Sequence, residues 1–301
     1  MTKKKNFITI GTFDGIHAGH RFLFNRLETL AAQYLLRPLT LYFPYPPKTL
    51  LSSQPEMTVL ATPKEKQKLF KELGVPAQPL DFENCRNLSP KEFLNEILIK
   101  KYHMGGLLVG PDFAFGKNRE GSLAFLREEC KKRDIPFEVA NFYLADGEKI
   151  SSSLIRKTLA MGSIRQATEM LTRPYQITGT VVKGHQLGRQ LGFPTANLDT
   201  GIYKILPLGV FAVKVRVGTK IYNGFCNIGF RPTVNPIHAK LPLVEVNIFD
   251  FKKSIYGRKI TVYFAGKIRN ESKFNGLEAL VAQLKKDREK ACELLQTFDN
   301  P

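Results

Sequence analysis

At 301 residues and 43% hydrophobic composition, the chain has room for two ordinary domains, each with its own core. A formal charge of +18, from 45 Lys and Arg against 27 Asp and Glu, points to anionic ligands without choosing among nucleotides, phosphorylated metabolites and nucleic acid. The four cysteines include no CxxC pair, which speaks against a disulfide framework or a zinc site, and no apolar run approaches the roughly 18 residues needed to cross a bilayer.

The opening MTKKKNFITIGTFDG is basic, but Asp14 and neighbouring glycine and polar positions interrupt the apolar segment of a signal peptide, so a cytoplasmic, reduced setting is expected. From there short apolar runs alternate with helical patterns. FITIGTF is followed by HRFLFNRLETLAAQYL, RPLTLYF by PKEKQKLFKELG, SPKEFLNEILIKKY by GGLLVG, and SLAFLREECKKRD by PFEVANFYL. This alternation predicts βαβ units and a parallel sheet covered on both faces. Ligands of such sheets sit at the carboxyl ends of strands, where GTFDG and GPDFAFGK fall.

After LTRPYQI the period becomes two, in QITGTVV, GVFAVKVRV, KIYNGFCNI, LVEVNIFDF and KITVYFAGKI, with a turn at Gly218 and Thr219. Short strands of this kind predict a small antiparallel barrel or sandwich, with GLEALVAQLKKDREKACELLQ as a closing helix packed on it. The boundary is placed near Pro174, giving domains 1–173 and 174–301.

The first distinctive string is GTFDGIHAGH, residues 11 to 20. His17 and His20 are three apart, so a helix starting near Ile16 leans both rings toward its first turn, where free N–H groups and the positive end of the dipole favour phosphate. Gly11, Gly15 and Gly19 would admit a ligand close to the backbone. An HxxH alone fits equally a plain helix start with two partly exposed histidines; a metal pair would need a third ligand that is not evident nearby.

The full string resembles the HxGH signature of the nucleotidyltransferase superfamily, and ISSSLIR, residues 150 to 156, resembles its second signature. Attack of a phosphate oxygen on the α-phosphorus of ATP builds charge on nonbridging oxygens and needs no protein nucleophile, so imidazoles and N–H groups suffice to stabilise it. Ser151, Ser152, Ser153 and Arg156 would hold the departing pyrophosphate. Without the HxGH string they would read as a helix N-cap and a surface arginine.

The second string is GHQLGRQLGFPTANL, residues 184 to 198. Its glycines permit a tight loop, Pro194 fixes the approach to a strand, and on that strand Thr195 and Asn197 face the same way. Two neutral oxygens completed by nucleotide phosphates and water suit Mg²⁺; as a bare pattern the string reads as well as a structural turn. In LVEVNIFDF, Glu245 and Asn247 share the face opposite Val244, Val246 and Ile248. A carboxylate on a strand is usually solvated, but half-buried beside a hydroxyl Glu245 would serve as a general base.

Together with NIGFRPTV, VEVNIFDFKKSIYG and KIRNESKF, this string resembles the riboflavin kinase domain, and the whole chain is similar to the bacterial family of bifunctional riboflavin kinase/FAD synthetases. The resemblance implies an α/β Rossmann-like adenylyltransferase domain followed by an all-β, six-stranded Greek-key barrel. It implies two ATP-dependent steps, riboflavin to FMN and FMN to FAD. It makes His17 and His20 catalytic in the first domain, with Gly11, Phe13, Asp14, Gly15 and Gly19 at the nucleotide. It places Mg²⁺-ATP on Thr195 and Asn197, nucleotide contacts on Gly184, Gly188, Arg189, Gly192 and Pro194, and the general base at Glu245. Flavin contacts fall on Tyr45, Asp112, Phe113 and Arg269. The partners implied are riboflavin, FMN, FAD and ATP, with no membrane, nucleic-acid or protein partner expected.

Tyr45 stands where the family usually has a His between prolines, Ala114 where it has an arginine, and Pro111 where an aromatic or small residue is common; in the kinase half Asn247 replaces a frequent His. The first three departures motivate a variant reading, a kinase with weakened or lost adenylylation. A nucleic-acid-binding module, motivated by charge, is opposed by the even spread of Lys and Arg and the lack of an RNP-like string.

Overall fold

The computed structural model describes residues 4–47, 59–145, 147–184, 188, 191–201, 204–230 and 242–299. Contacts divide the chain into two units, Met1–Ser152 and Ser153–Pro301.

The first unit is built on five parallel strands, β1 (Asn6–Gly11), β2 (Arg37–Tyr42), β3 (Ala77–Pro79), β4 (Met104–Val109) and β5 (Phe137–Val139), in the order β3-β2-β1-β4-β5. In β1, Phe7, Ile8 and Ile10 are all buried, as a parallel strand covered on both faces requires. Phe7 joins Leu27, Leu30 and Ala31 of helix α1 (Ala18–Gln33) on one face. Ile8 and Ile10 join Phe93, Leu94, Leu98, Leu126 and Cys130 on the other. Those residues come from α3, which starts as Pro90–Glu92 and runs on in π-helical turns over Phe93–Lys101, and from α4 (Leu123–Lys132). Helix α2 (Pro63–Glu72) follows β2 in sequence, with Thr62 accepting from the Glu65 N–H, the Glu65 carboxylate accepting from the Thr62 N–H, and Pro at the first position. The strand order reverses between β1 and β4, so the loops beginning at Gly11 and Gly110 leave the sheet at its switch point.

One expected strand differs. PFEVANFYL pairs with the sheet only over Phe137–Val139; Leu144–Ala145 (β6) pairs instead with Glu148–Lys149 (β7) in a small hairpin. Helix α1 starts at Ala18 with His17 as N-cap, slightly later than Ile16, because Ile16 has φ 41° and stands outside helical geometry.

Helices α5 (Ser152–Ala160) and α6 (Ile164–Leu171) precede the barrel. The compact units divide after Ser152, the first residue of α5, and α6 packs against the last barrel strand. The barrel comprises β8 (Gln176–Val182), β9 (Thr195–Asp199), β10 (Gly209–Val217), β11 (Lys220–Gly229), β12 (Leu243–Ile248) and β13 (Lys259–Arg269). All neighbours are antiparallel, and the order β10-β11-β12-β9-β8-β13 closes on itself. The return of β9 beside β12 makes β9 to β12 a Greek key. Closure leaves no free edge and settles the barrel-or-sandwich alternative. Helix α7 (Leu277–Gln296) lays Ala291 and Leu295 against Val210, Ala212 and Phe225.

Candidate functional site

In the first unit the β1–α1 loop brings the two histidines together. Their rings stack with centroids 3.6 Å apart and planes at 23°. The His17 backbone N–H donates to His20 Nδ1 at 3.3 Å, so the neutral His20 ring carries its proton on Nε2, a donor directed away from the backbone. His17 is buried, unlike the partly exposed pair of a plain helix start. Gly19 lets the His17 ring lie close, since a Cβ there would stand 3.3 Å from it.

Phe13 and Gly11 serve packing. The Phe13 ring meets His20 edge-on at 5.2 Å and Phe24 at 5.1 Å, and a Cβ on Gly11 would lie 2.8 Å from it. The space at Gly11 is therefore filled by the protein's own aromatic ring rather than left for a ligand. The loop turns through positive φ at Phe13 (47°), Gly15 (81°) and Ile16 (41°). Asp14 is buried with its carboxylate accepting from the Leu60 and Ala61 N–H groups at 3.0–3.1 Å, so its side chain anchors the loop.

Ser151 precedes α5, and Ser152 and Ser153 open it. The Ser152 hydroxyl donates to the Asp14 carbonyl at 2.9 Å. A hydroxyl has one proton to give, and Ser152 uses it to join the two signature strings. Arg156 lies further along α5, partly buried.

Of the flavin positions in this unit, Tyr45 is partly buried just beyond β2, Asp112 is exposed and ion-paired to Lys149 at 3.3 Å, and Phe113 stacks on Phe115 at 5.6 Å against the core. A residue missed from sequence is Lys66, fully buried on α2. It shares a face with Leu69 and Phe70, three and four positions on, which was the available signal.

In the second unit a cavity of about 480 Å³ is lined by Gly188, Thr195, Asn197, Glu245 and Arg269 among the expected residues. Asn197 on β9 stands opposite Glu245 on β12, which stands opposite Asn227 on β11. Directly paired residues project to the same side, so an Asn–Glu–Asn row crosses three strands. Asn227, Phe193, Phe274, Leu280, Leu284 and Asp287 complete the walls and were not singled out from sequence. Those on α7 come from a helix whose docking face only the fold reveals. The buried Cys226 thiol, next to Asn227 on β11, is pushed up by burial and, secondarily, by the nearby Glu245 charge, which keeps it unreactive.

The loop before β9 is fitted to this row. A Cβ on Gly184 would fall on the Asn197 amide, and one on Gly188 on the Phe193 carbonyl, while Gly192 adopts φ 79°. Asn247 donates to the Pro194 carbonyl at 2.8 Å, so this departure from the family pattern braces the loop. Arg189 and residues 231–234 of NIGFRPTV lie outside the described residues. Arg269 is engaged by the protein itself: its Nε and Nη2 meet the buried Asp287 carboxylate at 2.7–3.1 Å, and Nη1 donates to the Asn270 carbonyl and Ser272 Oγ at 3.0 Å. It organises the cavity wall and leaves little donor capacity for a flavin. A second cavity of about 430 Å³, lined by Pro194 and rimmed by Lys252, Lys253 and Tyr256, shares Thr195 with the first.

The hydroxyl, amide and carboxylate oxygens of this row suit a hard cation that keeps waters and phosphate oxygens in its shell, as Mg²⁺ does. Among the described residues no cluster of three or more His, Cys, Asp or Glu forms a metal site, and no helix is long and apolar enough to cross a membrane.

An HxGH helix start at a sheet switch point, followed in one chain by a closed barrel with a polar row facing a cavity, defines a class: a nucleotidyltransferase-like unit joined to a kinase-like barrel. The FAD synthetase family model matches residues 1–154 and the riboflavin kinase family model residues 171–295. Bifunctional riboflavin kinase/FMN adenylyltransferases are similar over nearly the whole chain. The Bacillus subtilis protein is 35% identical over 95% of this chain and 92% of its own, the Haemophilus influenzae protein 35% over 94% and 92%, and the Escherichia coli K12 protein 34% over 93% and 90%. A crystal structure described as a macrolide-efflux protein from Streptococcus pneumoniae superposes with TM-score 0.86 at 30% identity, covering 99% of this chain and 96% of that one. The chain belongs to the bifunctional riboflavin kinase/FMN adenylyltransferase family.

Proposed function

We propose that this protein makes FMN from riboflavin and FAD from FMN, using ATP in both steps, with adenylylation assigned to residues 1–173, phosphorylation to 174–301, and the cytoplasm as the setting. The observation that carries the kinase reading is the gathering of Thr195, Asn197 and Glu245 on one cavity that is otherwise largely apolar and large enough for a ring system.

Glu245 takes the proton of the riboflavin 5′-hydroxyl as that oxygen attacks the γ-phosphorus of ATP. Thr195 and Asn197 would hold Mg²⁺ beside the ATP phosphates, and the lysines around the second cavity favour the nucleotide there, so the phosphoryl group passes close to Thr195. The cation neutralises phosphate charge when bound. In the first unit a phosphate oxygen of FMN attacks the α-phosphorus of a second ATP. His20 Nε2–H donates to the nonbridging oxygens as charge develops, with the stacked His17 fixing its ring. Ser151 receives the leaving pyrophosphate.

Tyr45 and Ala114 favour one second reading, a kinase with slow adenylylation. Incubation of the pure protein with riboflavin, ATP and Mg²⁺, followed by separation of the flavins, tests both. FMN and FAD together are expected; FMN accumulating alone selects the second reading, and no flavin turnover rejects the assignment.

A further inference from the structure

Lys66 has no exposed surface, and its ammonium donates to three backbone carbonyls: Thr12 at 2.7 Å, Phe43 at 2.9 Å and Pro44 at 3.1 Å. The same ammonium lies 5.9 Å from the centroid of the Tyr42 ring, on the strand that leads into Phe43 and Pro44. Burying a charge is costly, and a Met or Leu would fill this place on the apolar face of α2 without that cost, so packing alone does not account for a lysine here.

The three carbonyls have a location in common. Thr12 is the first residue beyond β1, and Phe43 and Pro44 are the first two beyond β2, so the ammonium ties together two adjacent loops at the carboxyl edge of the sheet. The first loop runs through Phe13 and Ile16, both non-glycine residues at positive φ, into His17. Such a conformation persists only where its surroundings hold it. The second loop leads directly to Tyr45. The segment leading into α2 also grips the first loop from its far side, where Asp14 accepts from Leu60 and Ala61.

We propose that Lys66 is a positioning residue for adenylyl transfer: its ammonium holds the loop presenting His17 and His20 in register with the loop presenting Tyr45. The proposal rests on the adenylyltransferase reading and adds to it the residue that sets the geometry of the site. Releasing the three carbonyls lets the two loops drift apart. The loss falls on the turnover step, which depends on sub-ångström alignment, more than on substrate capture.

The test uses the full-length protein and its own kinase reaction as an internal measure. Lys66→Met is expected to lower kcat for FMN adenylylation by about 10²-fold. KM for ATP and FMN should change by less than about threefold, a split that reflects lost transition-state alignment, and riboflavin phosphorylation should be unchanged. Leu94→Ala, a cavity in the opposite core cluster, is expected to lower the melting temperature of the same unit yet leave kcat intact when assayed below the onset of melting. If Lys66→Met does not fold, Lys66→Gln is judged by the same split. Wild-type kcat in the folded Lys66 variant, or an equal kcat loss in Leu94→Ala, overturns the proposal alone. Wild-type protein that forms FMN but no FAD overturns the adenylyltransferase reading and the proposal with it.

Discussion

The Ser152 hydroxyl donates to the Asp14 carbonyl at 2.9 Å, joining two signatures 138 residues apart. Because Asp14 lies between Gly11 and His17, this bond couples the start of α5 to the loop that presents the histidines. Ser152→Ala should slow FMN adenylylation by about five- to tenfold, the scale of one net hydrogen bond of 1 to 1.4 kcal/mol. Ser152→Thr should restore most of it. Steady-state rates of FAD formation decide, and an alanine variant as fast as wild type would show the bond to be idle.

Two substitutions should separate the reactions. Asn197→Ala should stop FMN formation while leaving adenylylation of supplied FMN within about twofold, because only the barrel row loses an amide, the one proposed to hold Mg²⁺-ATP. His20→Ala should do the reverse, with a fall of about 10²–10³-fold in FAD formation if its Nε2–H stabilises the developing charge. Loss of both reactions in either folded variant would refute the two-site assignment.

Gly184 is required by its neighbour rather than by its own backbone angles. A Cβ there would strike the Asn197 amide, so Gly184→Ala should displace that amide and cut riboflavin phosphorylation by at least about tenfold. The barrel should still melt cooperatively, since Gly184 itself contributes no side chain to its core. Kinase kinetics alongside circular dichroism would check this; unaltered kinetics would place the functional atoms elsewhere.

Arg269 and Asp287 form a forked ion pair between β13 and α7, with Asp287 only 1% exposed. Arg269→Ala strands a buried carboxylate and should destabilise the barrel by about 3–5 kcal/mol in denaturant unfolding. The double variant Arg269→Met with Asp287→Leu should recover much of that loss, because no charge is then left unpaired. A double variant as unstable as the single would mean that the pair does more than neutralise itself.

Much of this molecule was legible along the chain because its signals are local. The alternation of apolar runs with helical patterns is a property of each segment, and both distinctive strings are contiguous. Thr195 and Asn197 could be placed on one face from the two-residue period of a strand alone. The short pairing of β5 was not legible, since Phe137–Val139 meets the sheet and Leu144–Ala145 meets a hairpin with similar composition. Sequence period does not state which partner a strand will find.

The sequence by itself determined the order of the elements, the residue types of the two distinctive strings and the family they resemble, since each is encoded in neighbouring residues. Tertiary structure alone decided that Asn227 completes the row beside Glu245, that Asp287 engages Arg269, that the Ser152 and Asp14 side chains bond to backbone, and that Lys66 clamps two loops. The physical reason is shared by all four. A hydrogen-bond donor or charge takes whatever partner the fold brings within about 3 Å, and that partner lies tens of residues away in the chain.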